Sequence, residues 1–393
     1  MKITATLEDV HRAVSLCLRC NMCSYAKWPD NSLLCPLYAY DQCYTYSPGG
    51  LVYLVRALLE GWIDYNPSMA ELAFTCAGCG ACDELCKIIP FPDPHAHLSE
   101  IVRLLRHQLV KQGLIPDGKI RGIYKKVQEK GDYLDGTQGV NLEIPQKIKD
   151  DSANMVLFAE CFHTNTQREI YESALRLLEK IGKPISLFSD GGCCGSTLYD
   201  LGFWEQLGKL VEAKWEKMKD LEDKEFLFIN PHCQEFVVRR YPEILPDYKG
   251  VKSRHFSEFL IDAFKEGNLK SRKLDKVKVT YHDPCYLGRG LGIYDAPREV
   301  LAFLDGVEVI EMKGNKANSL CCGARAKGNY FSDFSEKTAQ RRLDAFWATE
   351  ADLLITACPY CKEIFQKVLP TEDKGRVKDL IEFVDERTME RTS

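Results

Sequence analysis

Two different periods of hydrophobicity divide the chain. Up to about residue 110 apolar positions recur at helical spacing, as in Leu51-Val52-Tyr53-Leu54-Val55-Arg56-Ala57-Leu58-Leu59, which predicts a core helix. From residue 155 onward, short apolar runs alternate with amphipathic stretches. Met155–Ala159, Pro184–Phe188 and Glu225–Ile229 read as strands, with helices over Arg168–Lys180 and near Trp204–Lys219 between them. The pattern then recurs, with strands at Val277–Tyr281, Val307–Glu311 and Asp352–Thr356 and helices at about Pro297–Leu304 and Ser335–Thr349. Strands alternating with helices predict parallel sheets. The expected fold class is α+α/β: a helical region over 1–112, a linker over 113–154 that is rich in Lys, Gly and Asp without a sustained period, and two tandem parallel-sheet α/β domains over 155–275 and 276–393.

Composition sharpens this. A chain of 393 residues can bury a core without covalent staples, so its 18 cysteines need another explanation. Most lie two or three residues apart or directly adjacent, which favours metal ligation over disulfides. The first nine residues, Met1 to Asp9, show no basic stretch followed by an apolar run, so no secretory leader and a reducing, cytoplasmic setting are expected. No run of eighteen apolar residues occurs; Leu51–Ile63 comes closest and is broken by Arg56, Glu60 and Gly61, so no membrane span is expected. A net charge of −5 with mixed signs excludes a basic nucleic-acid footprint.

The helical region carries two cysteine groups. The first is Cys17-x2-Cys20-x2-Cys23 followed by Cys35-Pro36; the second is Cys76-x2-Cys79-x2-Cys82-x3-Cys86. Three closely spaced cysteines wrap one face of a four-iron cluster, and the fourth crosses to the other cluster. This predicts two 4Fe-4S clusters, one on Cys17, Cys20, Cys23 and Cys86, the other on Cys76, Cys79, Cys82 and Cys35. Zinc is the competing reading, but four-ligand zinc sites use pairs of cysteines, not such triplets. Cys43, outside both patterns, is expected to be a buried structural thiol. His95 and His97, in and just after a proline-rich run, read as surface or capping residues.

In the remainder each predicted strand is followed by a cysteine group: Cys161, then Cys193-Cys194-Gly195, then Asn230-Pro231-His232-Cys233; and again Cys285, then Cys321-Cys322-Gly323, then Cys358-Pro359-Tyr360-Cys361. Cys193 and Cys321 are 128 residues apart, as are Cys233 and Cys361, which marks a duplication. Strand C-termini of a parallel sheet open on one edge, where such sheets place ligands. The copies differ at one position, where Asn230 stands in the first and Cys358 in the second. The second copy thus has five thiols, one more than a cubane needs. Adjacent Cα atoms lie only about 3.8 Å apart, so Cys321 and Cys322 approach one cluster from different directions, and Gly323 permits close backbone approach.

In these motifs and their order the chain resembles the heterodisulfide reductase D-subunit family and the wider group of Cys-Cys-Gly proteins, over nearly its whole length. The resemblance implies a ferredoxin-like helical domain with two cubane clusters, and a noncubane 4Fe-4S cluster at each complete Cys-Cys-Gly motif, here Cys285, Cys321, Cys322, Cys358 and Cys361, at which disulfide chemistry is done. For the first copy, with Cys161, Cys193, Cys194 and Cys233, an ordinary cubane, a noncubane with a substitute ligand and an empty site all stay open, since Asn is a poor ligand for soft metals. His163, His232 and His282 lie beside the cysteines as ligands, proton donors or loop residues; Asp283 is expected to cap the turn before Cys285; Arg289 and Arg325 are expected to hold a substrate anion or an exposed salt bridge. No dinucleotide fingerprint and no haem-attachment motif is present, so electrons are expected from a partner subunit: a flavoprotein, a ferredoxin-like protein or a membrane haem subunit. Two functions follow as expectations: a reductase of a disulfide or related thiol substrate, or a non-catalytic electron-transfer subunit of a flavin-, quinone- or acyl-CoA-linked complex.

Overall fold

The structure is a computed structural model that describes residues 6–27, 32–86, 97–131, 144–159, 167–189, 192–324 and 332–389. Cys161, His163, His95 and Arg325 lie outside the described residues.

The first part is helical. Helix Pro48–Leu59 buries Leu51, Val52 and Val55 and starts on Ser47, whose hydroxyl accepts from Gly50 N–H. Helices Pro67–Thr75 and Leu98–Lys111 complete a core around Phe74, Ile101, Leu105 and Leu109. The two cysteine triplets share one backbone course. Arg19 and Asn21 in the first, and Gly78 and Gly80 in the second, all have positive φ. Two left-handed residues at matched places turn each short loop so that its thiols converge; glycine adopts this freely, whereas Arg19 and Asn21 hold it at some cost.

The stretch read as a linker contains a helix, Lys119–Lys130, which ends at left-handed Gly131. Its sequence hides it because only Ile120 and Val127 of its twelve residues are buried, on an otherwise charged surface. Cys43 is exposed, contrary to expectation, with its sulfur 3.5 Å from Thr45 Oγ1. It precedes a short 3-10 turn, Tyr44–Tyr46, that lies at the surface.

Beyond residue 144 the chain builds two four-stranded parallel sheets. The first has β1 (Met155–Phe158), β2 (Ser186–Phe188), β3 (Glu225–Phe228) and β4 (Lys252–His255) in the order β2-β1-β3-β4. After β5 (Lys270–Ser271), the second has β6 (Val277–His282), β7 (Val307–Val309), β8 (Leu353–Thr356) and β9 (Val377–Asp379) in the order β7-β6-β8-β9. The registers match too: Met155 pairs with Glu225 and Val279 with Leu353. The duplication inferred from cysteine spacing is therefore a duplication of the fold. β4 and β9 add an edge strand to each copy that sequence reading does not find. β10 (Thr388–Met389) returns to pair antiparallel with β5.

A buried polar network joins the helical part to both sheets. Glu100 receives hydrogen bonds from Arg240 (2.6 Å), Tyr199 (2.7 Å) and Arg103, while Asp200 receives Arg103 Nε (2.7 Å) and Tyr286 Oη (2.6 Å). Burial alone would push the Glu100 carboxyl up, but Arg103 and Arg240 overcome it and hold the group below the usual range.

Candidate metal centres

The structure brings the predicted cysteines into four groups. In the first, Cys17, Cys20, Cys23 and Cys86 face one another, and burial first, then Cys86, pushes Cys23 up to about 12. In the second, Cys35, Cys76, Cys79 and Cys82 surround a small cavity of about 30 Å³ whose walls are Ala77, Leu51 and Val102. Cys35 sits at the N-terminus of helix Pro36–Tyr40, where its sulfur accepts from Tyr38 N–H. Cys82 lies close enough to Cys23 for their charges to interact, so these groups are neighbours. Thiols in such apolar surroundings do not ionise unaided; a bound metal supplies the charge that removes their protons.

The third group holds Cys193, Cys194 and Cys233, all buried, with Cys194 within hydrogen-bonding reach of the other two. Asn230 stands at the start of helix Pro231–Arg239. Its Oδ1 accepts from His232 N–H, while its Nδ2 is buried with no hydrogen-bond partner.

The fourth group forms a chain of contacts. Cys321 is within hydrogen-bonding reach of Cys285 and Cys322, Cys322 Sγ is 3.1 Å from Cys361 Sγ, and Cys361 reaches Cys358. Gly323 N–H and Ala324 N–H point at the two adjacent sulfurs, at 3.3 and 3.5 Å. Gly323 has φ +83°, and a Cβ there would lie 2.9 Å from Ser335 O and 3.0 Å from Thr338 Cβ, so the glycine lets helix Ser332–Trp347 close over the loop. Cys322 is the thiol pulled well below its ordinary value, chiefly by Cys321 and then Cys361, while those two neighbours are pushed up.

Two of these groups touch. Cys79, of the second, lies within hydrogen-bonding reach of Cys321, of the fourth. Arg289 spans the junction, donating to Cys79 O (2.9 Å), Ala317 O (3.2 Å) and Ser319 O (3.0 Å). It is therefore neither in an exposed salt bridge nor free to hold a substrate anion through these donors. Asp283 does not cap the turn. Arg298 grips it with two hydrogen bonds, of 2.7 and 3.0 Å, and Lys316 N–H donates to it.

Sequence reading misses Arg342, although a cation at a helix position among Ala339, Leu343 and Phe346 could have shown it. Its Nε donates to His282 Nδ1 at 3.1 Å and its Nη1 reaches Lys313 O and Gly314 O, while Nη2 is buried without a hydrogen-bond partner among the described residues. Burial pulls Arg342 down to about 10 and His282 below its ordinary value. Arg289 and Arg342 have no carboxylate within ion-pair distance among the described residues. Buried unpaired positive charge is costly. Five thiolates on iron carry net negative charge, so both the donor set and these two guanidinium groups fit an anionic iron–sulfur cluster.

A family model described as a cysteine-rich domain matches the chain twice, over residues 155–237 and 279–366, once on each sheet. The D subunit of the dihydromethanophenazine:CoB–CoM heterodisulfide reductase of Methanosarcina mazei is 30% identical over 322 residues, which cover 80% of this chain and 76% of that protein. Its namesake from Methanosarcina acetivorans is 32% identical over 73% of this chain and 70% of its own length. The chain belongs to the heterodisulfide reductase D-subunit family. Membership makes it an iron–sulfur redox protein with two cysteine-rich domains. The EtfAB:quinone oxidoreductase of Syntrophomonas wolfei is also similar, at 27% identity over 83% of this chain, but this chain matches only 48% of it. Among the described residues no helix is long and apolar enough to cross a membrane.

Proposed function

We propose that the chain is a heterodisulfide-reductase-like subunit that carries electrons through its helical, ferredoxin-like part to the second cysteine-rich domain, where a disulfide or related thiol substrate reacts. The observation that carries this reading is the contact between Cys79 and Cys321, which joins a four-thiol group to the five-thiol group without a gap. Cys17, Cys20, Cys23 and Cys86 would hold one cubane cluster, and Cys35, Cys76, Cys79 and Cys82 a second. Cys285, Cys321, Cys322, Cys358 and Cys361 would hold a noncubane 4Fe-4S cluster. When bound, such clusters supply single electrons and iron sites with affinity for thiolate sulfur. The protein's own part is to keep them dry, in sequence and charge-compensated, with Arg289 at the junction and Arg342 behind the last group. Reduction of one disulfide takes two electrons and two protons and releases two thiols; the electrons come from a redox partner, as the relatives' naming as subunits supports.

A second reading, a conducting subunit without chemistry of its own, draws on burial. Cys321, Cys322, Cys358 and Cys361 are all buried, and only Cys285 of the five is partly exposed.

Iron content and spectroscopy on anaerobically prepared protein test both. About sixteen irons per chain means four four-iron clusters, and about twelve means that one site, expected to be the first cysteine-rich domain, is empty. Reductase function predicts a paramagnetic signal that changes when substrate disulfide is added and is lost in Cys322→Ser. A full complement of clusters whose signals ignore every disulfide tried favours the conducting subunit.

A further inference from the structure

His282 and Arg342 do not enter the proposed electron route, yet they form a buried pair directly behind the five thiols. His282 ends β6 and Arg342 lies on helix Ser332–Trp347; both are essentially inaccessible to solvent. We propose that His282 is a positioning residue that donates an Nε2–H hydrogen bond to Cys322 Sγ, and that Arg342 locks the imidazole in the tautomer able to do so. The inference rests on the reading of the five thiols as cluster ligands.

A guanidinium has donors and no acceptor. With Arg342 Nε 3.1 Å from His282 Nδ1, Nδ1 must be the acceptor, and the ring proton of the neutral imidazole sits on Nε2. Nε2 is buried and makes no hydrogen bond among the described residues, so its N–H is unsatisfied until an acceptor closes on it. What lies beside it is sulfur: the ligand atoms of His282, Cys322 and Cys361 are within 4.8 Å of one another. Arg342 cannot easily turn away, because Lys313 O and Gly314 O hold its far end. The same tautomer argues against His282 as an iron ligand. Iron would need a bare Nε2, which would force the proton onto Nδ1, where Arg342 already donates.

The duplication supplies an internal control. The register that matches Val279 to Met155 places Phe158 at the position of His282, and Lys214 lies 128 residues before Arg342. Lys214 stands over the Phe158 ring at 5.8 Å and donates to Gly192 O at 3.1 Å. The first copy thus keeps a buried cation on this spot but places a phenyl ring where the second has the imidazole, and it is also the copy with Asn230 in place of the fifth thiol. The hydrogen-bonding pair accompanies only the complete set.

A hydrogen bond to a ligating sulfur stabilises the more negative, reduced cluster and raises its potential. The test is an EPR-monitored redox titration of the full-length, cluster-loaded protein, with His282→Phe, which installs the first copy's residue, and Arg342→Met. His282→Phe is expected to lower the equilibrium constant for reduction at the second domain about tenfold, a shift of about 59 mV to more negative potential for a one-electron couple. Arg342→Met is expected to shift it the same way by less. If His282→Phe does not load, Arg342→Met and wild-type pulsed EPR decide. The wild-type signal should show a weakly coupled proton that exchanges in D2O. Unchanged midpoints in loaded variants, or the strong nitrogen coupling of a directly bound imidazole, overturn the hydrogen bond alone. A wild-type protein with no cluster on the five thiols overturns the cluster reading first, and the hydrogen bond with it.

Discussion

His232 stacks on Tyr360, with ring centroids 4.4 Å apart and planes 23° apart, and the two residues hold the same place in the two copies, each one residue before the final cysteine. A position packed against its own counterpart marks a local two-fold relation between the domains. Tyr286, next to Cys285, closes on the same imidazole with centroids 3.7 Å apart.

These ring contacts join the two domains at their cysteine edges. His232→Ala removes both and is expected to cost roughly 1–3 kcal/mol, while His232→Phe keeps most of the stacking. Denaturant midpoints measured at equal cluster content check this, and equal midpoints for Ala and Phe would show that the stack contributes nothing.

On the proposed assignment of one cluster to each thiol group, the contact of Cys79 with Cys321 predicts magnetic interaction between the two clusters when both are reduced. EPR of the reduced protein should show broadened, split features and not the sum of two independent signals. Cys79→Ser should weaken the interaction and slow reduction of the second domain by at least about tenfold, roughly 1.4 kcal/mol in barrier, as read by rapid-freeze quenching.

Glu100 is the hub of the network between the helical part and the first sheet. Glu100→Gln leaves Arg103 and Arg240 buried without their shared carboxylate and is expected to destabilise the protein by about 3–5 kcal/mol. Tyr199→Phe removes one neutral donor from the same carboxylate and should cost about 1 kcal/mol. A double-mutant cycle between the two should be clearly non-additive; simple additivity would mean that the network does not act as a unit.

His255 is fully buried, with Nδ1 accepting from Ser257 N–H and Nε2 3.2 Å from Ile229 O, and burial pulls it down to about 4. Between that value and the ordinary histidine value near 6.5, the unfolded chain binds a proton that the folded chain does not. Stability should therefore fall as pH drops from about 6.5 to about 4 and level off below, by about 3 kcal/mol in all. His255→Asn should flatten this dependence in denaturation curves taken at pH 5 and pH 7; an unaltered slope would place the titrating group elsewhere.

The central strands are legible in the sequence because strands inside a parallel sheet are buried on both faces and read as apolar runs, as all of β1 does. Of the edge strands, β2 and β7 are read from the sequence but β4 and β9 are not. Lys252-Ser253-Arg254-His255 of β4 shows only its last residue fully buried, and nothing in that stretch distinguishes it from a loop. The thiol groups are readable because ligand spacing is local or falls at strand ends. What joins them is not, since Cys79 and Cys321, or His282 and Arg342, come from elements far apart in sequence. Their meeting depends on how helices close over sheets, which no local pattern encodes. Asn230 stands out in the sequence as a missing thiol, but that its carboxamide instead holds the start of a helix emerges only in three dimensions.

Helix Leu380–Arg387 packs against helix Arg168–Ile181, where Asp385 takes Arg176 at 2.6 Å and Lys180 at 2.7 Å across 209 and 205 residues of chain, and β10 then closes on β5. The two domains are thus not beads on a string. During synthesis the outer helix of the first domain waits for its ionic partners until nearly the whole second domain has emerged, so an early, open form of the chain exposes that face. Such a form would also leave unformed the ring contacts at the two cysteine edges, which gives iron–sulfur delivery a natural interval before the clasp shuts.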